Sequence, residues 1–530
     1  MDTLPYESLQ TREMEQPGNS ASQTSAGQQP ELSLLERLVN QGSANSNDHT
    51  EIDRWKKACN AGDPLEMLRI WANVSVGEIV DCGRLRRRLA SDIARIDQLL
   101  SAQVNEVLHA PAFQALESAW RGLHYLWSVR RRLLAGRGLE ETGPEVIIRV
   151  LDVSKRELKK NFEAAAEFDQ SELFKKVYEE EFGTAGGEPY GTLIANYEFS
   201  NHPEDIDLLG KLSEVGAAAF APVITGAAPS LLGMDDFSTM EQTLDLHAVF
   251  QQPKHLKWRA LRGRLDSQFL GMTVPRVLMR APYDGTNPGQ NGFRFVEVVD
   301  VPDRRNYLWG SAAWPMGAVL LRAFISSGWF ADIRGADRSG ESGGMVSHLP
   351  SCEFKTDSRG VGIRSSVEVA ISDNLEGELC TLGFIPLSHC KDTDYSVFYS
   401  NSSVHLPEVF SDPAVTANAR ISAMLQYVLC CSRIAHYIKI HVRQKIGAAV
   451  RPEKIQADIM SWIVDYVTAD DRASPEMKAR YPLREAEVTV TDIPGSPGEY
   501  SMTLRLLPHY QLDQLTSTMT LKARRVEFKQ

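Results

Sequence analysis

At 530 residues with a formal net charge of −12, the chain is too long for a single hydrophobic core and too acidic for a general nucleic-acid role. Hydrophobic residues make up 43% and charged residues 24%, the balance of a globular protein. The 7 cysteines are odd in number and never spaced CxxC, which argues against a disulfide framework or a zinc site and for reduced thiols. No basic segment followed by an apolar core opens the chain, so no secretory signal is expected. The most apolar windows, 312–330 and 421–440, are interrupted by Pro315 and Arg322 and by Arg433, His436 and Lys439. Both read as core helices rather than membrane spans, and the chain reads as cytoplasmic.

Residues 1–50 are rich in Ser, Gln, Asn and Gly and are expected to be largely disordered, since they hold too little apolar surface to offset the entropy of ordering. Within them Leu32, Leu35, Leu38 and Val39 predict a short amphipathic helix near 32–41. Alone in water it is marginal, so it needs a surface, either this chain's own core or another protein. Asp63, Pro64 and Glu66 make a helix start. A long helix over about 85–108 follows, with Leu85, Leu89, Ile93, Ile96, Leu100, Val104, Val107 and Leu108 in one stripe. A second, over about 115–134, carries Leu116, Trp120, Leu123 and Trp127 on one face, with Arg130, Arg131 and Arg132 near its C-terminal end. The short link around Pro111 predicts an antiparallel pair, which makes 51–140 a helical region.

From Glu145 the pattern becomes strand, EVIIRVLDV, and Ser154 with Glu157 forms a capping box for the next helix. A helix over 171–182 should end at Gly183 in a left-handed turn. A buried strand near 192–198, a helix over 203–220, a short run at 222–225 and a strand over 272–279 continue the alternation. A helix near 311–325, a polar Gly/Ser stretch at 334–344, a strand at 367–372 and a long helical segment at 415–447 complete an α/β body over 141–450. The expected fold class is α+β or mixed α/β.

The last segment, 451–530, differs in kind. After a helix, Ala486, Val488 and Val490 alternate with polar residues, a Pro/Gly-rich turn follows at 494–498, and Met502, Leu504 and Leu506 alternate again. This is a β-hairpin, with a third candidate strand in Met519, Leu521, Ala523, Val526 and Phe528 that slips phase at Arg524 and Arg525. A hairpin leaves edges that another strand can join, although an ordinary antiparallel sheet closing a domain explains the same pattern.

The candidates for chemistry are weak. Between Gly186 and Gly191 the glycines have P-loop spacing, but Thr192 and Leu193 stand where Lys and Ser/Thr would hold phosphate and Mg²⁺. Glu188 adds charge of the wrong sign, and Pro189 lacks an N–H. The run 340–344 matches GxSxG around Ser342, yet a nucleophile elbow needs a strand before it and a helix after it, and neither flank fits. His436 and His441 are off the i, i+4 spacing of a helical zinc site and read as packing or surface residues. The adjacent Asp235 and Asp236 specify nothing. No catalytic residue, cofactor site or metal site is expected; the competing enzyme reading is a cytoplasmic serine hydrolase using Ser342.

Several segments carry a resemblance when taken together: LESAWRGLHYLW from Leu116, RVLDVSKREL from Arg149, SELFKKVYEEEFGTAGGEPYGTLIANYEF from Ser171, EVAISDNLEGELCTLGFIPL from Glu368, DPAVTANARISAMLQYVLCCSRIAHYIKIHVRQKIG from Asp412 and LRLLPHYQLDQLT from Leu504. In this order they resemble the large subunit of the type VI secretion contractile sheath, the TssC/VipB/EvpB/ImpC family, from about residue 50 onward. The resemblance implies a structural protein that pairs with a small sheath subunit, TssB or VipA. The pairs would polymerise with further copies as a helical tube around the Hcp inner tube on a baseplate, with contraction driving tube and spike outward. It implies that Val488, Val490, Met502, Leu504 and Leu506 belong to a C-terminal sheet completed by partner strands. It also implies that the helix of Leu32, Leu35, Leu38 and Val39 is read by the ATPase ClpV. Neither nucleic-acid binding nor membrane insertion is implied.

Overall fold

The computed structural model describes residues 82–136, 144–241, 245–286, 292–299, 304–336, 341–355, 362–445, 451–470, 472–492 and 500–509, with isolated positions between 56 and 71. The chain divides into two units, 1–95 and 96–530. In the first, Lys56, Asn60, Pro64, Met67 and Trp71 are helical, and the Trp71 indole donates to Asp92 at 3.2 Å. Leu32, Leu35, Leu38 and Val39 lie outside the described residues, as does the candidate third strand at Met519 to Phe528.

Helix α1, Cys82–Leu108, runs across the boundary between the units. Its expected stripe is not buried: Leu89, Ile93, Ile96, Leu100 and Val107 are all exposed, so the seam of an antiparallel pair with the next helix does not form. That helix, α2 (Pro111–Ala135), starts with proline at its first position. It turns inward the face opposite to the one with the large side chains. Ser118, Gly122, Leu126 and Val129 are buried, while Leu116, Trp120 and Trp127 face out. The reason is distance of approach. A Cβ on Gly122 would lie 2.4 Å from the ring of Trp314, so only glycine lets the two helices meet there.

The segment 145–153, expected as a strand, is extended but joins no sheet among the described residues. The capping box forms as read: Ser154 Oγ accepts from Glu157 N, and the Glu157 carboxylate accepts from Ser154 N at 2.9 Å, opening α3 (Lys155–Ala164). The expected α-helix at 171–182 is one α turn, Glu172–Phe174, followed by a π-helix, Lys175–Gly183. Gly183 is not left-handed; Gly186 is, with φ of 84°.

A six-stranded sheet organises the body, in the order β1-β2-β3-β9-β10-β6. Its first members, β1 (Leu193–Phe199), β2 (Val223–Ala227), β3 (Leu270–Val274) and β9 (Phe384–His389), are parallel. β10 (Ser396–Phe398) and β6 (Met345–Val346) add antiparallel. The expected strand over 272–279 is two, because the chain leaves the sheet at the cis Val274–Pro275 peptide. It then forms β4 (Val277–Arg280), paired with β5 (Leu308–Gly310). A second small pair is β7 (Cys352–Lys355) with β8 (Gly362–Ser365), which takes the place of the strand expected at 367–372; Val367 keeps only a bridge to Val277. β1 is the sheet's outer member and is mostly half-buried rather than buried.

Each face of the sheet has its own core. Adjacent residues alternate between them: Val223 and Phe384 belong to one cluster, Ile224 and Ile385 to the other. The first is closed by α4 (Pro203–Ala219), whose Leu208, Leu209, Leu212 and Val215 are buried, with α5 (Leu246–Gln251), α6 (Leu256–Arg262) and α8 (Asp373–Thr381) around it. The second is closed by α2, by α7 (Ala313–Ser327) and by the start of α10 (Leu425–Lys445), which follows α9 (Pro413–Ser422) after a break at Met424. Each fully buried Leu or Phe in these layers contributes about 1.5–3 kcal/mol relative to exposure. A third cluster lies under the C-terminal hairpin: Trp329, Ile434 and Ile438 with Ile459 and Ile463 of α11 (Pro452–Val464). The short α12 (Pro475–Arg480) leads into β11 (Leu483–Asp492), which pairs with β12 (Tyr500–Pro508).

The Gly122–Trp314 contact is testable. Gly122→Ala should lower stability by about 1–3 kcal/mol, because the added methyl cannot fit without moving the indole. Thermal melting of the complex that contains the chain reads it, and an unchanged melting temperature counts against the packing described.

Candidate interaction surfaces

The glycine loop after the π-helix binds an anion, and the anion is its own. The Glu188 N–H donates to Glu181 Oε2 at 2.8 Å, and Arg149 bridges the Glu181 and Glu188 carboxylates, the latter at 3.0 Å. Those hydrogen bonds hold the Glu181 carboxyl below its usual range, the backbone bond from Glu188 being the larger lowering cause. A phosphate would have to displace this internal pair. Ser342 lies in a turn whose carbonyls, Gly343 O and Met345 O, accept from the buried Arg322 guanidinium. A strand, β6, follows it instead of a helix, so the elbow geometry is absent. The His436 Nε2–H donates to the Ala219 carbonyl, 3.0 Å away, and the ring packs against Phe182 and Phe220, while His441 packs on Trp462.

Glu368 is the most perturbed carboxyl of the body. It is 2% exposed, its Oε2 has no partner, and Arg276 reaches its other oxygen only at 3.9 Å because that guanidinium forks onto Glu198 at 2.6 and 2.7 Å. Arg304 donates to the Glu368 carbonyl rather than to its carboxyl. Burial pushes the carboxyl up to about 8, assisted by Asp236 and Glu198 and opposed by Arg276 and Arg304. Its side chain is 1% exposed, and it reads as a structural group.

The surfaces left over are apolar and strand-like. The first is the hairpin. Val488 pairs with Leu504, Val490 with Met502 and Ala486 with Leu506, so the residues selected from the sequence do share one face. That face lies on the chain's own third core cluster, with Val488 buried and Val490, Met502, Leu504 and Leu506 packed against it. These side chains therefore fasten the hairpin to α11, and what remains open is its edge. On β11 the Val490 N–H is taken by the Gln456 side chain at 3.2 Å. Among the described residues no third strand lies against β12.

The second surface is a trough of about 1220 Å³ in the body. It is lined by β1, by the extended segment 145–153, by Leu116 and Trp120 of α2, and by Phe324 and Arg433, with the acids Glu180, Glu181 and Glu188 also on its surface. Among the described residues no backbone hydrogen bond joins 145–153 to a strand. Side chains hold it instead: Tyr197 Oη donates to Val153 O at 2.6 Å and Arg130 Nε to Val146 O at 2.9 Å. Ile147, Val150 and Leu151 are exposed at 55%, 65% and 51%, which a segment finished by its own chain would not show. The Arg433 guanidinium stacks on Phe324 at 4.3 Å and on Tyr437 at 4.9 Å, its Nε has no partner, and among the described residues no carboxylate pairs with it. Burial holds its pKa below the usual arginine value. Sequence reading missed both the trough and Arg433. The available signal was the small-residue pair Ser118 and Gly122, which marks the close-packing face of α2 and so assigns the tryptophans to the outside.

Comparison with known proteins places this architecture. The N-terminal tail sheath domain of the EvpB/VC_A0108 (VipB) family matches residues 90–405, and the gpW/gp25-like tail sheath domain of the same family matches residues 414–525. The chain belongs to the VipB tail sheath family. It is 41% identical over 438 residues to the type VI secretion system sheath protein TssC1 of Pseudomonas aeruginosa, covering 82% of this chain and 85% of that protein. Two cryo-EM structures of the anti-feeding prophage also align. They are its six-fold symmetrised baseplate, with TM-score 0.33 and 10% identity, and its contracted helical sheath, with TM-score 0.28 and 11% identity. Each covers 60% of this chain, and 66% and 67% of the other, a likeness too loose to define a shared fold. For a VipB-family chain, the open hairpin edge and the trough are therefore the surfaces of interest. Among its described residues no helix is long and apolar enough to cross a membrane.

The Glu368 carboxyl gives a pH prediction. Folded, it keeps its proton to about pH 8, whereas unfolded it releases it near 4.5, so the folded state binds more protons between those values. Its contribution to stability is complete at the acid end and is lost as pH rises toward 8. Glu368→Gln should flatten that part of the melting-temperature profile; an unaltered slope between pH 5 and 8 would show the carboxyl to be ionised in place.

Proposed function

We propose that this chain is the large structural subunit of a type VI secretion contractile sheath. The observation that carries the reading is the family match over 90–405 and 414–525 together with the extended identity to a TssC1 sheath protein. In this reading it pairs with a small sheath subunit of the TssB/VipA kind, and the pairs polymerise with further copies around an Hcp tube on a baseplate in the cytoplasm. Contraction exchanges one lattice of subunit contacts for another, so the work comes from packing and no covalent catalysis is involved. The self-filled glycine loop and the missing elbow at Ser342 support a non-enzymatic role. The net charge of −12 supports a sheath without nucleic acid.

Electron microscopy of the chain co-expressed with its small sheath partner should show hollow tubules containing both in equal amounts; soluble particles without a partner would overturn the reading. In such tubules the open edge of β12 supports augmentation by a neighbouring subunit's strand. Thr489→Pro removes a donor from the ladder opposite Thr503 and should abolish tubules while leaving the pair with the small subunit intact. Normal tubules from that variant count against the C-terminal sheet as the inter-subunit link.

The helix of Leu32, Leu35, Leu38 and Val39 is proposed as the element that the ClpV ATPase reads on contracted sheaths. Leu35→Asp with Leu38→Asp should still form sheaths and should lose ClpV binding in a co-sedimentation assay. Retained binding sinks the assignment.

A further inference from the structure

One guanidinium in the body stands between two carboxyl groups and serves one of them. Arg276 lies just past the end of β3, and its Nε and Nη2 fork onto Glu198 of β1 at 2.6 and 2.7 Å. Its remaining nitrogen, Nη1, faces Oε1 of Glu368 at 3.9 Å, too far for a hydrogen bond. The Phe237 ring packs against the same guanidinium, its centre 5.5 Å from Cζ.

The fork ties down the outermost strand. β1 pairs only with β2, and their register slips between Ile194 and Glu198, so the end of β1 is joined to β2 past an irregularity. Arg276 carries that end across β2 to the chain leaving β3. From the other side Lys155 of α3 donates to the Glu198 carbonyl at 2.9 Å and pairs with Asp205 at 2.7 Å.

Glu368 has little room to answer a change in its own charge. Its N–H donates to the Arg276 carbonyl at 3.0 Å, its carbonyl accepts from Arg304, and its Oε2 is buried without a partner. The charged groups that face it are Arg276, Asp236 of the loop after β2, Glu198 and Arg304. Of these, Asp236 and Glu198 repel a second negative charge, and Arg304 already donates to the backbone carbonyl. An ionised Glu368 therefore turns to Nη1 of Arg276, and closing that gap draws the guanidinium about 1 Å off Glu198.

We infer that the proton on Glu368 sets an internal switch: while it is bound, Arg276 clamps Glu198 and the end of β1, and when it leaves, Arg276 turns to Glu368 and the outer strand loses its clamp. Burial is the main reason that the proton stays on to about pH 8. The clamp is thus whole on the acid side and is lost as pH rises through that value. The switch is internal to the chain and acts at the sheet edge that has no strand beside it among the described residues.

The test is thermal melting of the purified protein at pH 6 and pH 9, with and without the Glu198 charge. Glu198→Gln should lower the melting temperature by about 2–4 °C at pH 6, and by less than half as much at pH 9, where Arg276 is already drawn to Glu368. In a Glu368→Gln background the Glu198→Gln loss should be the same at both pH values. An equal loss at pH 6 and pH 9 in the otherwise unaltered chain overturns the switch. So does a smaller loss at pH 9 that persists with Glu368→Gln, since another group then carries the titration. Should a variant not fold, amide exchange of the unaltered protein over 193–199, corrected for the intrinsic effect of pH, decides alone. Protection there should fall in a step centred near pH 8, and a flat profile between pH 6 and 9 overturns the proposal.

Discussion

A backbone N–H or C=O that loses water must find another partner, and among the described residues the sheet edges at β1 and at β12 have no strand beside them. The parallel sheet stops at β1, with an extended segment across a gap from it, and the C-terminal hairpin stops at β12. The two faces of the sheet carry separate, well-buried cores, and the hairpin is fastened by its own apolar face to α11. Among the described residues, side-chain packing thus closes both faces of the sheet while its β1 edge and the β12 edge stay open, the combination expected of a component of an assembly. A row of open edge groups is also an aggregation hazard, which gives a physical reason for such a chain to be made together with its partner.

Much of the fold was legible because local signals act locally. The Ser154–Glu157 box, the helix from Pro203, the helix that became α7 and the alternation of the hairpin depend on nearest neighbours and came out as read. The misses have a common cause, which is that a strand is defined by what lies beside it. The β-branched run after Glu145 has strand composition and extended geometry but, among the described residues, no strand beside it. The run over 272–279 has the composition of one strand and divides between two sheets at Pro275. In α2 the sequence left the inward face open. α2 is apolar on two sides, and periodicity cannot say which goes inward. Ser118 and Gly122 can, since small residues allow backbone approach that tryptophan forbids.

The candidate sites divide in the same way. The hairpin residues were found because alternation announces them, though their side chains turn out to hold the hairpin to its own chain. Arg433 gives no local signal, being one of four Lys or Arg residues along its helix. Only the fold, by bringing Phe324 beside it and leaving carboxylates away, makes it notable. The P-loop-like spacing shows the converse. A real local pattern was present, and the fold assigned its N–H group to Glu181.

The close contact at Gly122 has a mechanical side. Long side chains between two helices act as springs, because rotamers shift before backbones do. Here the Trp314 indole rests on bare backbone, and on the next layer Gly317 lets the Ile194 side chain approach α7 just as closely. The stack from the outer face of α2 through α7 to β1 has almost no slack in it. A pull applied to the exposed Trp120 and Trp127 would reach the edge of the parallel sheet as a rigid displacement, so the body would ride with whatever grips that face instead of deforming beneath it.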